Sequence, residues 1–356
     1  MRALIVIVGL FAIVGVAAAA APKPFTIERT DSPVAALTQD GDMLAWLSGD
    51  RTKCNGIEMS GGGNTYTLPQ PQNTSLTCHW NMAAGIQRLA IAAGAPAALW
   101  TLHEGGSGSD YVLTAVTGGK EIKVERLVHQ SDGTGWWLGG IAGGGSTLAY
   151  SSVDVTYVDP LGCGSGGSCA KKITDGGIDL VSAGQKTAVP HADPALALSV
   201  NGGRIAYIPA TAVSKAGAPV SGPGGPVRVI DASDGSLVSQ VSTVGVPVAI
   251  GLSGQVLGVL SRNGSKLRLT WYDPSNGAKL GGVGVPSKTA HQIAVSDQAI
   301  VYRVTHFFKA VMVSSGHMHG IGRTLTRSVG LSLDNGRLIW AESSHTAGRI
   351  RGLNVP

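Results

Sequence analysis

One pattern recurs along the chain: an alternating apolar run, a turn containing Gly, Asn or Asp, and a second apolar run that usually ends on an aromatic residue. Its clearest copy is LALSVNGGRIAY, Leu196 to Tyr207, and related copies end at Trp46, Trp100, Tyr150, Val259, Tyr302 and Trp340. Alternation with period two on both sides of a tight turn signals paired antiparallel strands. A unit that returns at near-constant spacing must bury its apolar faces against its own neighbours. From Trp46 to Trp340 the pattern takes six steps, a mean of 49 residues. Radial arrays of four-stranded sheets have units of about 40 to 50 residues. A second hairpin follows several copies, as in Tyr111–Val128, Val227–Val241 and Leu267–Val283, so each unit has the four strands such an array needs.

The fold expected is all-β: a seven-bladed β-propeller of four-stranded antiparallel blades spanning residues 22–356 as one domain. The blades are placed at about 31–69, 82–128, 129–190, 191–245, 246–286, 287–328 and 329–356. The last has residues for three strands only, and Phe25–Arg29 (FTIER) is predicted to supply its fourth, closing the ring and removing an open sheet edge. His103–Asp110 reads as a Gly/Ser-rich connection between second and third strands, and the Cys163–Cys169 stretch as an insertion between third and fourth strands of blade three. Pro209–Pro226, with its SGPGGP run, reads as a long insertion that cannot continue a strand. After the leader, no window of a dozen residues keeps a helical period free of Gly or Pro.

The hairpins that end in IAY, LAW and LIW resemble the repeats of bacterial TolB-like and WD40-like β-propellers. The resemblance covers most of the chain and is architectural. Where those families carry Ser-Pro-Asp-Gly at the turn, this chain has Gln39-Asp40-Gly41, Val200-Asn201-Gly202 and Asp334-Asn335-Gly336. It also lacks the Gly-His and Trp-Asp marks of WD40 repeats. The resemblance implies a scaffold for protein or ligand binding, and fold alone does not determine function.

Residues 1–21, with one Arg, an apolar core and alanines offering A-x-A cleavage sites, read as a signal peptide that exports the chain to the periplasm or cell exterior. A retained membrane anchor is the rival reading, and the only one that brings in a membrane. In an oxidising compartment the four cysteines are expected to form two disulfides, Cys54 with Cys78 and Cys163 with Cys169. The net charge of +5 is spread without a run of four basic residues, which argues against a nucleic-acid partner.

Propeller topology sends two kinds of connection, outer strand to next inner strand and second to third strand, to one face. Most histidines fall there, and the candidate ligand or partner site comprises His79, Trp80, His103, Glu104, His191, His291, His306 and His345. His129, Asp132, Trp136 and Trp137 map to the same face. The stretch Ser131–Trp136 resembles a sialidase Asp box, but it is short in spacing, occurs once and carries no inference. His317 and His319 sit in a Gly-flanked turn without a third ligand beside them, so no metal is expected. No activated-serine, zincin, Walker or paired-carboxylate motif occurs, so no catalytic residue and no cofactor is assigned. The expected function is an exported binding or scaffolding module for a protein or small ligand of the cell envelope. The alternatives are a secreted hydrolase or lyase with its site at the channel mouth, and an anchored surface sensor or adhesion domain.

Overall fold

The structure, a computed structural model, describes residues 23–49, 54–61, 64–67, 85–92, 97–105, 109–117, 120–159, 169–286, 290, 292–324 and 328–355. These form strands and turns, with no helix among the described residues. The first strand, β1 (Phe25–Thr30), is followed by a four-stranded antiparallel sheet of β2 (Val34–Asp40), β3 (Met43–Gly49), β4 (Cys54–Gly61) and β5 (Asn64–Thr67). Next come β6 (Gly85–Ala92), β7 (Ala97–Gly105), β8 (Ser109–Thr117), β9 (Lys120–His129), β10 (Gly135–Gly144), β11 (Thr147–Tyr157), β12 (Lys171–Ser182) and β13 (Gln185–Ala188). A sheet of β14 (Ala195–Asn201), β15 (Arg204–Pro209), β18 (Pro226–Asp231) and β19 (Leu237–Ser242) follows, interrupted by the small hairpin β16 (Ala212–Val213) and β17 (Pro219–Val220). Two more sheets are β20 (Val246–Leu252), β21 (Leu257–Asn263), β22 (Lys266–Tyr272), β23 (Lys279–Val285), and β24 (Ile293–Val295), β25 (Ala299–Val304), β26 (Phe307–Met312), β27 (Met318–Arg323). The last comprises β28 (Ser328–Asp334), β29 (Arg337–Ser343) and β30 (Gly348–Asn354) with β1 on its outer edge, Phe25 opposite Gly352 and Thr30 opposite Gly348.

The expected seven four-stranded blades are corrected to six. Five sheets have four strands, and β6 to β13 form one continuous eight-stranded sheet. The cause is local. Gln130 N–H donates to the Thr134 carbonyl at 2.7 Å and Gly133 N–H to that of Gln130 at 2.9 Å, closing a tight turn that leaves Gly135 paired with His129. Gly135 takes φ +100°, and a Cβ there would lie 2.5 Å from the Val128 carbonyl, so the junction needs glycine. A polar cluster ties the sheet together further out. Tyr150 O–H donates to Glu125, whose other oxygen pairs with Lys186 Nζ at 2.6 Å, so β9, β11 and β13 are linked.

The eight-stranded sheet presents two strands, β6 and β10, to the central channel; β2, β14, β20, β24 and β28 supply the rest of its wall. The aromatic residues of the repeat lie across the ladder from channel-lining aliphatics: Trp46 from Leu37, Tyr150 from Ile141, Tyr207 from Leu198 and Tyr302 from Ile293. Trp46, Tyr207, Tyr302 and Trp340 are buried in the cores between successive sheets, and Tyr150 in the core between the two halves of the eight-stranded sheet. Burying each such side chain removes on the order of 150–250 Å² from water, which is why the sequence period follows them. Inner strands also meet backbone to backbone: a Cβ on Gly139 of β10 would sit 1.7 Å from the Ala195 carbonyl. Two further placements differ from the sequence reading. The stretch containing Cys163 and Cys169 connects β11 to β12, second to third strand, and His103 and Glu104 belong to β7, which runs to Gly105.

Candidate functional site

The channel has two ends, and they are built differently. At one end lie the turns between first and second strands of each unit, the turn face. The other, the connection face, carries the longer crossings. Of the candidate residues expected there, His79, Trp80 and His291 lie outside the described residues, as do Cys78 and Cys163. His103 and Glu104 pair through the backbone with Tyr111 and Asp110 on β8. Exposed His191 follows β13 at φ +59°. Nearby, Asp193 is held by Tyr207 O–H at 3.0 Å and by the Arg228 guanidinium. Half-buried His306 accepts from Thr324 N–H at its carbonyl, 2.9 Å away. Exposed His345 rides on a turn closed by Ser344 N–H and the Ala347 carbonyl. These three histidines belong to different sheets. No group of three His, Cys, Asp or Glu side chains placed to hold a metal occurs among the described residues. His317 and His319 stack at 5.9 Å between ring centroids, again without a third ligand. Cys169 is not a free thiol; the side chain of Cys54 is not among those described.

Where the structure does gather chemistry on this face is the β9–β10 junction. The His129 ring stacks on Trp137 with centroids 3.6 Å apart and planes 5° from parallel, and Tyr111 lies 6.1 Å from His129. Trp137 Nε1–H donates to the Gly133 carbonyl at 2.9 Å, so the indole is fastened to the tight turn itself. Asp132 caps that turn, accepting from Thr134 N–H at 2.9 Å and Thr134 O–H at 2.8 Å. Tyr157 O–H donates to the other carboxylate oxygen, and Lys171 Nζ reaches the Asp132 carbonyl while standing 5.6 Å from the Tyr157 ring centre. The Tyr157 hydrogen bond, followed by that from Thr134 N–H, holds the Asp132 carboxyl down at about 2 against an ordinary 3.8, and the same bond raises the Tyr157 phenol. Val128 (38% exposed) and Val158 (52%) flank the cluster, and Trp136 and Trp137 are half-exposed. The corner is therefore an aromatic and aliphatic surface rimmed by one carboxylate and one ammonium, on backbone whose geometry is over-determined. The sequence pattern places His129, Asp132, Trp136 and Trp137 on this face but gives no placement for Tyr111, Tyr157 or Lys171. The signal available was His129 with Trp136 and Trp137 within nine residues.

On the turn face a cavity of about 890 Å³ opens into the channel. A second, of about 530 Å³, continues beyond it. Leu89, Ile141, Leu198, Ile250, Ile293 and Leu331 border both and form the divide between them. The rim of the larger cavity carries Asp40, Asp297 and Asp334. Asp334 accepts from Gly41 N–H, and Asp297 Oδ1 accepts from Gln255 N–H at 2.8 Å, so each carboxylate clasps the turn of the neighbouring sheet. Arg337 adds to the first clasp through Gln39 Oε1 at 3.2 Å and the Gly41 carbonyl at 3.0 Å.

No family model and no curated protein matches the chain. Among solved structures, a chain of the mitotic checkpoint complex is similar at 12% identity, with a TM-score of 0.54, all of this chain covered and 99% of that one. The Cps50 (Swd1) β-propeller domain of Myceliophteria thermophila, also 12% identical, covers 93% of this chain and 98% of its own at a TM-score of 0.48. The Dos1 propeller, 11% identical, covers 94% and 95% at 0.45. At such low identity the match to the chain of the mitotic checkpoint complex shows a shared fold alone.

Proposed function

We propose that the protein is an exported, monomeric, non-enzymatic binding scaffold that engages a protein partner of the cell envelope through its connection face. In this reading residues 1–21 are a cleaved leader, 22–356 fold as one domain, Cys54–Cys78 and Cys163–Cys169 are bridged, and the repeats share the architecture of the bacterial TolB-like propellers. The observation that carries the proposal is the corner around Trp137: a half-exposed indole stacked on buried His129, with exposed Val128 and Val158 beside it and a carboxylate and an ammonium at its edge, on a turn fixed by hydrogen bonds. Interface centres favour rigid aromatic anchors of this kind, because little side-chain entropy is lost on docking. β-Propellers commonly serve as protein-interaction scaffolds, which agrees with the fold.

The test is retention of a partner from envelope extract on immobilised protein. Val158→Asp, a change at an exposed position, is expected to abolish retention, and Asp42→Arg on the turn face to leave it intact. Equal retention by both variants overturns the proposal. Amino-terminal sequencing of the exported protein checks the leader, and a chain that still begins at Met1 refutes cleavage.

A further inference from the structure

The connection-face ends of two neighbouring sheets, β20–β23 and β24–β27, carry a charge that the rest of the chain does not share. Residues 235–333 hold nine Lys or Arg and two acidic residues, Asp273 and Asp297, in a protein whose whole net charge is +5. Both carboxylates lie on the turn face, in the β22–β23 and β24–β25 turns. At the opposite ends, the β21–β22 tip carries exposed Arg262 and Lys266, and the ends of β25 and β27 carry half-buried Arg303 and exposed Arg323. Leu267, beside Lys266, and Val304, beside Arg303, belong to one apolar cluster between the sheets, so the two ends abut. Of the acidic groups towards the connection face of the flanking sheets, Asp193 is paired with Arg228 and Glu342 with Arg349, while Glu28 and Asp31 lie towards Glu58 of β4, away from this sector.

The same tips expose apolar side chains. Phe307 is 46% exposed, with the Arg323 guanidinium 4.9 Å from its ring centre and the two residues opposite each other on β26 and β27. It follows Thr305, whose φ of +51° is strained for a β-branched residue, in a two-residue turn closed by the Val304–Phe307 pair. Val244, 67% exposed, stands in the crossing from β19 to β20, where Gly245 lies against the Arg262 carbonyl. Neither channel cavity is lined by these residues, so they form protrusions and no pocket. Protruding apolar tips ringed by cations fit a surface that is anionic, extended and soft enough to admit them.

We propose that this sector docks on an anionic phospholipid bilayer, with Phe307 and Val244 entering the headgroup boundary and Arg262, Lys266 and Arg323 against lipid phosphates. The corner around Trp137 belongs to another sheet, so either site can fail without the other. The test is co-sedimentation of the exported protein with vesicles of phosphatidylcholine alone and of phosphatidylcholine with phosphatidylglycerol, beside its retention on immobilised poly-glutamate. Binding is expected to the phosphatidylglycerol vesicles only, weakening as salt is raised. Arg262→Gln, Lys266→Gln and Arg323→Gln are each expected to lower vesicle affinity about fivefold, and Phe307→Ser about tenfold, with Val244→Ser acting in the same direction. Val158→Asp is expected to bind vesicles like the parent protein. Thermal unfolding checks that each variant keeps the ring intact. Equal binding to phosphatidylcholine alone, no binding to either vesicle, or unchanged affinity in Phe307→Ser and the three Gln variants overturns the proposal. Retention on poly-glutamate without vesicle binding overturns it in favour of an acidic protein, and loss of vesicle binding in Val158→Asp overturns it by moving the contact to the Trp137 corner.

Discussion

On the turn face, neighbouring sheets are clasped by short repeated devices: Asp334 to Gly41 N–H, Asp297 to Gln255 N–H, and Ser199 Oγ accepting from Leu252 N–H at 2.9 Å. On the connection face the crossings among the described residues range from two residues at 264–265 to sixteen at 210–225, and one of them, 130–134, is drawn so tight that two strand quartets become one sheet. The difference follows from what each face must do. A turn between paired strands has its length set by the ladder, so only its side chains are free to reach the next sheet. Crossings on the other face also join paired strands, as β15 with β18 and β21 with β22, but they leave the ladder at its end, where insertions and partly exposed aromatic groups are tolerated.

If the two faces are separable, damage to the shared inner wall should harm both and damage to one face should spare the other. Gly139→Ala places a methyl where the Ala195 carbonyl and Ser151 Oγ already lie. It is expected to cost about 3 kcal/mol in urea unfolding and to weaken partner retention with it. Asp334→Ala removes the acceptor of a partly buried N–H and is expected to cost about 1.5 kcal/mol with partner retention unchanged; lost retention would mean that the faces are coupled. On the connection face, Thr305 holds φ +51°, strained for a β-branched residue. Thr305→Gly is expected to stabilise by about 0.5–1 kcal/mol, and a fall in melting temperature would show that the Thr305 side chain makes a compensating contact.

The smallest effect concerns Asp132. Its folded carboxyl lies near 2, below the ordinary 3.8, so its contribution to stability is complete above about 3.8 and is lost as pH falls from there towards 2. Tyr157→Phe removes the largest cause. The Asp132 pKa followed by NMR should then rise towards 3.8, and the acid dependence assigned to this residue should fade. An unmoved titration would make the Thr134 bonds the dominant cause.

Much of the architecture was legible because burial writes a period. Trp46, Tyr150, Tyr207, Tyr302 and Trp340 recur in the sequence since each fills a core between successive four-strand units, Tyr150 within the eight-stranded sheet. The pairing of β1 with β30 was readable from a strand without partners at one end and a missing strand at the other. The number of separate sheets was not. Whether β9 and β10 part or join depends on hydrogen bonds within residues 130–134, which the repeat period does not record. The Gly and Ser that follow His103 and Glu104 suggest a loop, but pairing with Tyr111 and Asp110 extends β7 through that stretch. The histidines His191, His306 and His345 share a face in sequence logic and lie in separate connections in space.

By itself the sequence determined an all-β chain of repeated hairpins arranged around an axis, because strand alternation and aromatic burial are local and periodic. Only the tertiary structure decided how many sheets form and which side chains converge. The contacts of Tyr157 and Lys171 with Asp132 and the channel walled by strands from β2 to β28 bring together groups far apart along the chain, and such distances depend on how the sheets pack, which no local pattern encodes.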